Sequence, residues 1–359
     1  MVASWGPCGF NMSLRQRLSK VLQSLPERSF WQVAPDLLDF TTNDYLGLIR
    51  DGVIAELLQQ VPSKYLRGSG ASRYLGGDSE AFHEVEAQIE LLWGRAGEKA
   101  LFFPSGLTAN LSFWSSVVGR DDVVIFDREI HASIRQALRL SGARAWGFPH
   151  NDWEAAERKL RQSPRPAFLV IESLYSMRGT VPDVAAIQAL ASRYEFYLVV
   201  DEAHTTLAWH GGRSWSLDVG LNPLARLFTF GKAGGLIGAA WVAPSWLIEY
   251  LRRVGFAGIY TTALPPFVAW VVGELLRRNS GWESRREKLW HIISVARSVL
   301  GSAGILYEGL DGPIALLYEE SLSLPMKKLY PPTVHRPAYR LSLHAHNSEE
   351  ELELLLRKR

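Results

Sequence analysis

The sequence predicts an α/β fold with a large, mainly parallel sheet. Short apolar runs rich in Val, Ile and Phe alternate with longer stretches whose apolar residues recur at helical spacing. These longer stretches can each hold a helix that crosses back over the sheet, which parallel strands require. The 359 residues, 47% of them hydrophobic, suit a large domain with a substantial core and a smaller second domain.

The predicted elements follow one another in a regular order after an amphipathic helical pattern that begins near Met12. The predicted strands of the large sheet are Ala100–Phe103, Val123–Asp127, Ala145–Phe148, Ala167–Glu172, Phe196–Asp201, Leu227–Phe230 and Gly238–Val242. The predicted helices among them are Glu80–Trp93, Ser105–Val118, His131–Ser141, Asp152–Gln162 and Val184–Tyr194. Alternation of this kind is typical of a sheet that is covered by helices on both faces.

The last part of the chain has a different pattern. It is helical from about Pro266 through Arg297, and short strand-like runs and a leucine-rich helix follow at Ile314–Tyr318, Tyr339–His344 and Ser348–Leu355. We therefore predict an N-terminal segment with a helix at 1–45, a large α/β domain at 46–270 and a small C-terminal α+β domain at 271–359.

Composition excludes several classes of function. The net charge of +2 is spread along the chain without a basic block, so we expect no nucleic-acid partner. The most apolar region, Gly235 to Leu251, is short and contains Pro244, so we expect no membrane span. Cys8 is the only cysteine and cannot form an internal disulfide, which favours the cytoplasm. Chemistry on a small molecule is the expectation that remains.

Polar residues follow two neighbouring predicted strands, at the sheet edge where ligands bind in such folds. Asp201 and His204 follow one strand, and Lys232 follows the next. An aspartate can keep a pyridinium nitrogen protonated, and a lysine amine can form a Schiff base with a pyridoxal cofactor. The alternatives are a helix cap for Asp201 and an ordinary solvated lysine at position 232.

Two further strand ends carry candidate residues. Ser105, Gly106 and Leu107 open a predicted helix, where free backbone N–H groups favour a bound anion such as a phosphate, although a simple Ser cap explains them equally. His131 also follows a strand and could stack on a cofactor ring, although a lone histidine is more often structural. The Gly-rich segment 68–72 lacks the full dinucleotide-binding pattern, and Lys232 lacks the spacing of a phosphate-binding loop.

Eight segments match one known family in order and spacing. They are Asn43-Asp-Tyr-Leu-Gly-Leu48, Gly68-Ser-Gly-Ala-Ser-Arg73, Ser105-Gly-Leu-Thr-Ala-Asn110, Glu172-Ser-Leu-Tyr-Ser-Met177, Asp201-Glu-Ala-His204, Thr229-Phe-Gly-Lys232, Tyr260-Thr-Thr-Ala-Leu-Pro-Pro266 and Tyr339-Arg-Leu-Ser-Leu343. The chain in this respect resembles the α-oxoamine synthases, which are fold-type I pyridoxal-phosphate transferases that join an amino acid to an acyl thioester with loss of carbon dioxide. The resemblance implies pyridoxal 5'-phosphate as cofactor and a homodimer with active sites at its interface.

The resemblance also implies roles for the candidate residues. Lys232 carries the cofactor as a Schiff base, Asp201 pairs with the pyridinium nitrogen, His204 bonds the ring hydroxyl and His131 stacks on the ring. The remaining implied roles are phosphate contacts by Ser105, Gly106, Leu107, Thr229 and, from the other subunit, Thr262; a place beside the ring for Ser176; and substrate binding by Arg340 and Asn43. No metal is expected.

Three segments are most similar to one branch of this family, namely Phe148-Pro-His-Asn-Asp152, Thr229-Phe-Gly-Lys232 and Pro331-Pro-Thr-Val334. That branch condenses L-alanine with a pimeloyl thioester, carried by coenzyme A or by an acyl carrier protein. Two alternatives stay open: a related enzyme that uses glycine or serine with another acyl thioester, and a catalytically silent subunit of the same fold. Arg178 departs from the family pattern, which has an acidic residue at this point.

Overall fold

The computed structural model describes residues 14–19, 22–23, 38–319, 326, 328–330 and 334–354. Residues 14–19 and 22–23 are helical, in the segment where the sequence predicts a helix. Cys8, residues 331–333 of the branch motif, and Leu355 lie outside the described residues.

A seven-stranded sheet forms the centre of the protein. Its strands are β1 (Glu98–Phe103), β2 (Val123–Asp127), β3 (Arg144–Phe148), β4 (Ala167–Glu172), β5 (Phe196–Asp201), β6 (Ala225–Thr229) and β7 (Ala239–Pro244). They lie in the order β1-β7-β6-β5-β4-β2-β3, and β7 alone runs antiparallel to its two neighbours. The carboxyl ends of the other six strands therefore meet at one edge of the sheet. This arrangement confirms the predicted fold class.

Helices cover the sheet and connect its strands. In chain order they are α1 (Val53–Gln59), α2 (Glu80–Trp93), α3 (Gly106–Val117), α4 (Ala132–Ser141), α5 (Trp153–Gln162), α6 (Val184–Ala191), α7 (Trp215–Asp218), α8 (Ser245–Val254) and α9 (Phe256–Ile259). Side chains that the sequence places before helices cap them: Asp152 accepts a hydrogen bond from the Ala155 N–H at 2.9 Å, and Asp183 from the Ala186 N–H at 3.0 Å. The predicted starts of α5 and α6 therefore have a local cause.

Strands at the centre of the sheet are buried on both faces. Every residue of β4 and of β6 is buried, which explains why these strands appear in the sequence as continuous apolar runs and not as alternating ones. Arg226 is the one charged residue of β6, and it is fully buried there. Its guanidinium donates to the Trp93 carbonyl at 2.6 Å and pairs with Glu98, so the buried charge is compensated.

The C-terminal part contains two helices and a small antiparallel sheet. Helices α10 (Pro266–Arg277) and α11 (Glu283–Ser302) precede a sheet of β8 (Tyr307–Gly309), β9 (Ile314–Leu317), β10 (Lys328–Leu329) and β11 (Ala338–Ser342), in the order β10-β11-β9-β8, and helix α12 (Glu349–Glu353) follows. The prediction of one helical stretch from Pro266 through Arg297 was wrong at Asn279–Trp282, which forms a 3₁₀ turn. Asn, Ser and Gly in this turn are poor helix formers, and the side-chain amide of Asn279 donates to the Gly211 carbonyl at 3.1 Å.

The segment after residue 38 packs against the small sheet. The Ser342 N–H donates to the Phe40 carbonyl at 2.9 Å, and the Ala345 N–H donates to the Tyr45 carbonyl at 2.7 Å. Phe40 and Tyr45 are both fully buried there. The segment after residue 38 is therefore bonded to the last strand of the small sheet and to the residues that follow it.

Among the described helices, none combines the length and the apolar character that a membrane crossing requires. The same described ranges contain no cluster of three or more His, Cys, Asp or Glu side chains that could hold a metal ion.

Candidate active site

A cavity of about 290 Å³ opens at the carboxyl edge of the large sheet. The ends of β4, β5 and β6 and the start of α3 all contribute side chains or backbone to it. Its lining includes these predicted site residues: Asn43, Ser105, Gly106, Leu107, His131, Asp201, His204, Thr229 and Lys232. Residues that are far apart in the sequence thus meet in one place.

Lys232 is partly buried in this cavity, three residues beyond the end of β6. Its Nζ donates a hydrogen bond to Thr229 Oγ1 at 3.2 Å. Burial lowers the pKa of the Lys232 amine, and the carboxyl groups of Asp201 and Glu172 oppose this effect only in part. A larger fraction of this amine is therefore neutral than in an exposed lysine, contrary to the alternative of an ordinary solvated side chain.

Asp201 ends β5 and is buried, with 5% of its surface exposed. Its Oδ1 accepts a hydrogen bond from the Ala203 N–H at 3.0 Å, and the residues that follow form turns. The helix-cap alternative was therefore wrong for Asp201, because no helix begins there. The carboxylate lines the same cavity as Lys232.

His204 is buried and held by one neighbour. Its Nδ1 lies 2.7 Å from the hydroxyl of Tyr45, which is fully buried. Burial first, and then the positive charges of Lys232 and Arg340, lower the pKa of His204 well below its ordinary value. The imidazole is consequently neutral.

His131 precedes α4 and caps it. Its Nδ1 accepts a hydrogen bond from the Ser133 N–H at 3.2 Å and lies 2.7 Å from Ser133 Oγ, which also accepts from Asn110 Nδ2 at 2.9 Å. Burial lowers the pKa of His131, so the ring is neutral and carries its proton on Nε2. His131 therefore has a structural role as a helix cap, which was the alternative that the sequence left open. The same ring also lines the cavity.

The start of α3 closes another side of the cavity. Ser105 Oγ accepts a hydrogen bond from the Thr108 N–H at 3.2 Å, so this side chain is a helix cap. The first N–H groups of the helix, at Gly106 and Leu107, have no partner within the helix. A Cβ on Gly106 would lie 3.0 Å from Thr229 Cγ2, so glycine lets the two backbones approach closely here.

A second cavity, also about 290 Å³, adjoins the first and shares Asn43, His131, His204 and Lys232 with it. Arg340 lines this cavity from β11. Its Nε donates to the Ser176 carbonyl at 2.9 Å and its Nη2 to Asn43 Oδ1 at 3.0 Å. The arginine is thus held in one orientation in the cavity that it shares with Lys232.

Glu172 is a cavity residue that the sequence reasoning missed. It ends β4 in register with Asp201 on β5, and only 2% of its surface is exposed. Its Oε2 accepts a hydrogen bond from the Ser176 N–H at 3.1 Å, whereas its Oε1 has no hydrogen-bond partner among the described residues. Burial, and then the charge of Asp201, raise the pKa of Glu172 well above its ordinary value. Its place at a predicted strand end was the signal that could have identified it.

Two residues lie outside this arrangement. Thr262 is exposed and belongs to neither cavity, so its predicted role in a neighbouring subunit stays a prediction. Arg178, which departs from the family pattern, donates to Glu308 at 2.6 Å and lies 3.5 Å from Glu129. The reversed charge at this position is therefore balanced locally.

The two cavities fit pyridoxal phosphate. An amine and a buried carboxylate line the same cavity, which matches the aldehyde and the ring nitrogen of that group. The start of α3 provides N–H groups for its phosphate, and Gly106 leaves room for close approach. Glu172 Oε1 has no hydrogen-bond partner among the described residues, so this buried oxygen is available for a hydrogen bond with a bound group.

Comparison with known proteins agrees with this site. The chain matches the family Aminotransferase class I and II over residues 35–358. It is 36% identical over 340 residues to 8-amino-7-oxononanoate synthase of Chromobacterium violaceum, covering 89% of this chain and 87% of that protein.

Two solved structures have the same fold. The structure of a Sphingomonas wittichii serine palmitoyltransferase matches with a TM-score of 0.82 and 23% identity, covering 97% of this chain and 95% of that one. An 8-amino-7-oxononanoate synthase from Francisella tularensis matches with a TM-score of 0.78 and 24% identity, covering 90% of this chain and 96% of that one. From the family match and the relative at 36% identity, the chain belongs to the class I and II aminotransferases and, within them, to the pyridoxal-phosphate-dependent α-oxoamine synthases.

Proposed function

We propose that this enzyme condenses L-alanine with a pimeloyl thioester to form 8-amino-7-oxononanoate, a step of biotin biosynthesis. The observation that carries the proposal is the pairing of two cavities around Lys232. One holds the amine and the buried carboxylate of Asp201, and the other presents Arg340. The choice of alanine and pimelate rests on the relative named 8-amino-7-oxononanoate synthase.

In this proposal the first cavity holds the cofactor. Ser105, Gly106, Leu107 and Thr229 bind its phosphate, Lys232 attaches it covalently through Nζ, and Asp201 keeps its ring nitrogen protonated. Bound pyridoxal phosphate supplies an electron sink that stabilises negative charge on the α-carbon of an attached amino acid. His131 would cover one face of the ring and present its Nε2–H there, and Ser176 would lie beside the ring.

Lys232 is the proposed proton carrier. Because burial lowers its pKa, its amine is available in the neutral form that can remove a proton. It takes the α-proton of alanine onto Nζ and later returns a proton to the same carbon. Asp201 lies close enough for its negative charge to favour the intervening ammonium form.

Arg340 and Asn43 form the proposed substrate-carboxylate site. The planar guanidinium suits a two-bond pairing with the alanine carboxylate, and its bond to the Ser176 carbonyl orients it. The deprotonated α-carbon would then attack the thioester carbonyl, a carbon–carbon bond would form, and the thiolate would leave and take a proton from solvent. The carboxylate would depart as carbon dioxide, and Lys232 would return to the α-carbon the proton that it had removed.

We also propose that the enzyme acts as a homodimer. Large apolar side chains stand exposed near α9 and around Arg73–Leu75, and they include Leu75 at 81%, Tyr260 at 76% and Phe256 at 64% exposure. Exposed apolar patches of this kind mark interaction surfaces. Thr262 follows Tyr260 in the sequence, so the same interface would bring it to the partner's cofactor phosphate. Light scattering coupled to size exclusion tests the oligomeric state.

The test of the function is free-thiol release by the purified holoenzyme. Alanine is supplied with pimeloyl-coenzyme A or with pimeloyl-acyl carrier protein, and glycine, serine and other acyl chain lengths serve as parallel substrates. Release that depends on alanine and is selective for pimeloyl supports the proposal, and comparison of the two carriers identifies the thiol. Faster release with another amino acid or chain overturns the substrate assignment and points to a related enzyme.

The silent-subunit alternative makes a distinct prediction for the same experiment. A silent subunit would release no thiol with any of these pairs, even though it bound the cofactor. The convergence of Lys232, Asp201 and both imidazoles in one cavity disfavours this alternative, since a subunit without activity has no need of it.

A further inference from the structure

A continuous chain of hydrogen bonds connects the two cavities. Arg340 Nη2 donates to Asn43 Oδ1 at 3.0 Å, the Tyr45 hydroxyl donates to the same oxygen at 3.0 Å, and the Tyr45 oxygen lies 2.7 Å from His204 Nδ1. Tyr45 is the residue in the middle of this chain of bonds. Tyr45 therefore lies between the proposed carboxylate site and the proposed cofactor ring.

The donors and acceptors in this chain fix the position of one proton. Arg340 can only donate, so the Asn43 atom that it contacts is the carbonyl oxygen. The Tyr45 hydroxyl has one proton, and it donates that proton to Asn43 Oδ1. The 2.7 Å contact therefore requires His204 to donate its Nδ1–H to the Tyr45 oxygen. Since the imidazole is neutral, its Nε2 must then carry a lone pair.

The surroundings of Tyr45 hold it in this position. Its side chain is fully buried, and burial raises the pKa of its hydroxyl, so the hydroxyl keeps its proton. Its backbone carbonyl accepts a hydrogen bond from the Ala345 N–H at 2.7 Å, and its ring lies 6.5 Å from the ring of His344. The hydroxyl is consequently shielded from bulk water and keeps these partners.

We propose that Tyr45 is a positioning residue that selects the Nδ1–H tautomer of His204 and so decides which hydrogen bond this histidine offers to the cofactor. The inference rests on the proposed cofactor site, but not on the identity of the substrates. With the proton on Nδ1, His204 Nε2 accepts a hydrogen bond and does not donate one. The other charged or titratable groups that act on His204 are Lys232, Arg340 and His131.

The direct test is the tautomer of His204 in the holoenzyme, read by nitrogen NMR of histidine-labelled protein with His204→Gln for assignment. We expect the wild type to carry the proton on Nδ1. The Asn43→Ala variant frees the Tyr45 proton, which can then be donated to His204, so this variant should carry the proton on Nε2. A wild type with the proton on Nε2, or an Asn43→Ala variant without a change of tautomer, overturns the proposal.

The second readout is the pH titration of the holoenzyme's cofactor absorbance. Tyr45→Phe should move its midpoint by about 0.5–1 pH unit, the shift that corresponds to one hydrogen bond of about 1 kcal/mol. Tyr65→Phe is the matched control, because Tyr65 is also buried but its hydroxyl donates to Glu84 at 3.1 Å. A Tyr45→Phe midpoint equal to that of Tyr65→Phe contradicts the proposal.

Neither readout requires turnover. An enzyme that rejects alanine or pimeloyl thioesters but shows the expected tautomer and midpoint would refute the proposed substrates and leave the role of Tyr45 intact. If Tyr45→Phe does not fold, the Asn43→Ala tautomer decides the matter alone.

Discussion

Replacing Glu172 by Gln removes a carboxyl group that the folded protein keeps protonated while the unfolded chain ionises it. The folded pKa is raised by burial and by Asp201, whereas an unfolded Glu has a pKa of about 4.3. Below that value both states are protonated, and Glu172 has no pH-dependent effect on stability. As the pH rises, only the unfolded state loses its proton, so the wild type loses stability until the folded carboxyl ionises too.

The size of the effect follows from this difference. Each pH unit in which only the unfolded chain is ionised lowers the free energy of unfolding by about 1.4 kcal/mol. In Glu172→Gln the amide oxygen of the new side chain can still accept the Ser176 N–H bond, so the pH-independent change should stay within about 1 kcal/mol. The stability of the variant relative to the wild type should therefore rise with pH above about pH 5, by up to about 1.4 kcal/mol per pH unit, until the folded carboxyl of the wild type ionises.

Urea unfolding of the cofactor-free protein at about pH 5, 6, 7 and 8 measures this gain without a contribution from cofactor binding. Glu98→Gln is the control, because the pKa of Glu98 is shifted in the opposite direction from that of Glu172. Burial alone would raise the pKa of Glu98, but its bond to Arg95 and the charge of Arg226 outweigh burial and lower it. That variant should be destabilised by a constant amount over the same pH range. If the difference in stability between Glu172→Gln and the wild type were equally independent of pH, the reasoning would be refuted.

Three further variants test the proposed site and its support. Lys232→Ala should abolish the absorbance of covalently attached cofactor and lower kcat by about 10²–10⁴-fold, because positioned proton transfer contributes that much; spectra and thiol release measure both. Arg340→Ala should raise the KM for alanine about 10–100-fold, the equivalent of a lost charge-assisted bond of roughly 1.5–3 kcal/mol, while the cofactor stays covalently attached. Gly179→Ala should destabilise the fold by more than about 2 kcal/mol, since φ is +71° and the added Cβ would overlap the Ile314 carbonyl oxygen; urea unfolding checks this.

The large sheet and the cavity at its edge were predictable because parallel strands leave a clear trace in a sequence. Buried strands are continuous apolar runs, and in this fold their carboxyl ends share one edge. Asp201 and Lys232, which follow two neighbouring strands, could therefore be placed together from the sequence alone. Strand bounds moved by one or two residues, as at β6, which begins at Ala225 and ends at Thr229. The predicted helix His131–Ser141 begins at the residue that caps α4, although the sequence did not assign His131 that capping role.

Other features depend on contacts between distant parts of the chain, and no local pattern encodes them. Tyr45 and His204 are 159 residues apart, and neither position indicates its partner. The protonation of Glu172 depends on how closely β4 and β5 bury it beside Asp201. The 3₁₀ turn at Asn279–Trp282 was missed because a helical pattern resumes directly beyond it.

The contact between the segment after residue 38 and the small C-terminal sheet has a consequence for the order of events during synthesis. Asn43 and Arg340, which contact each other across the second cavity, are 297 residues apart. At ribosomal rates of about 5–20 residues per second, roughly 15–60 s separate their appearance. Lys232 and Asp201 are made well before Arg340. A nascent chain can therefore contain Asp201 and Lys232 of the proposed cofactor site while it still lacks the arginine of the proposed carboxylate site.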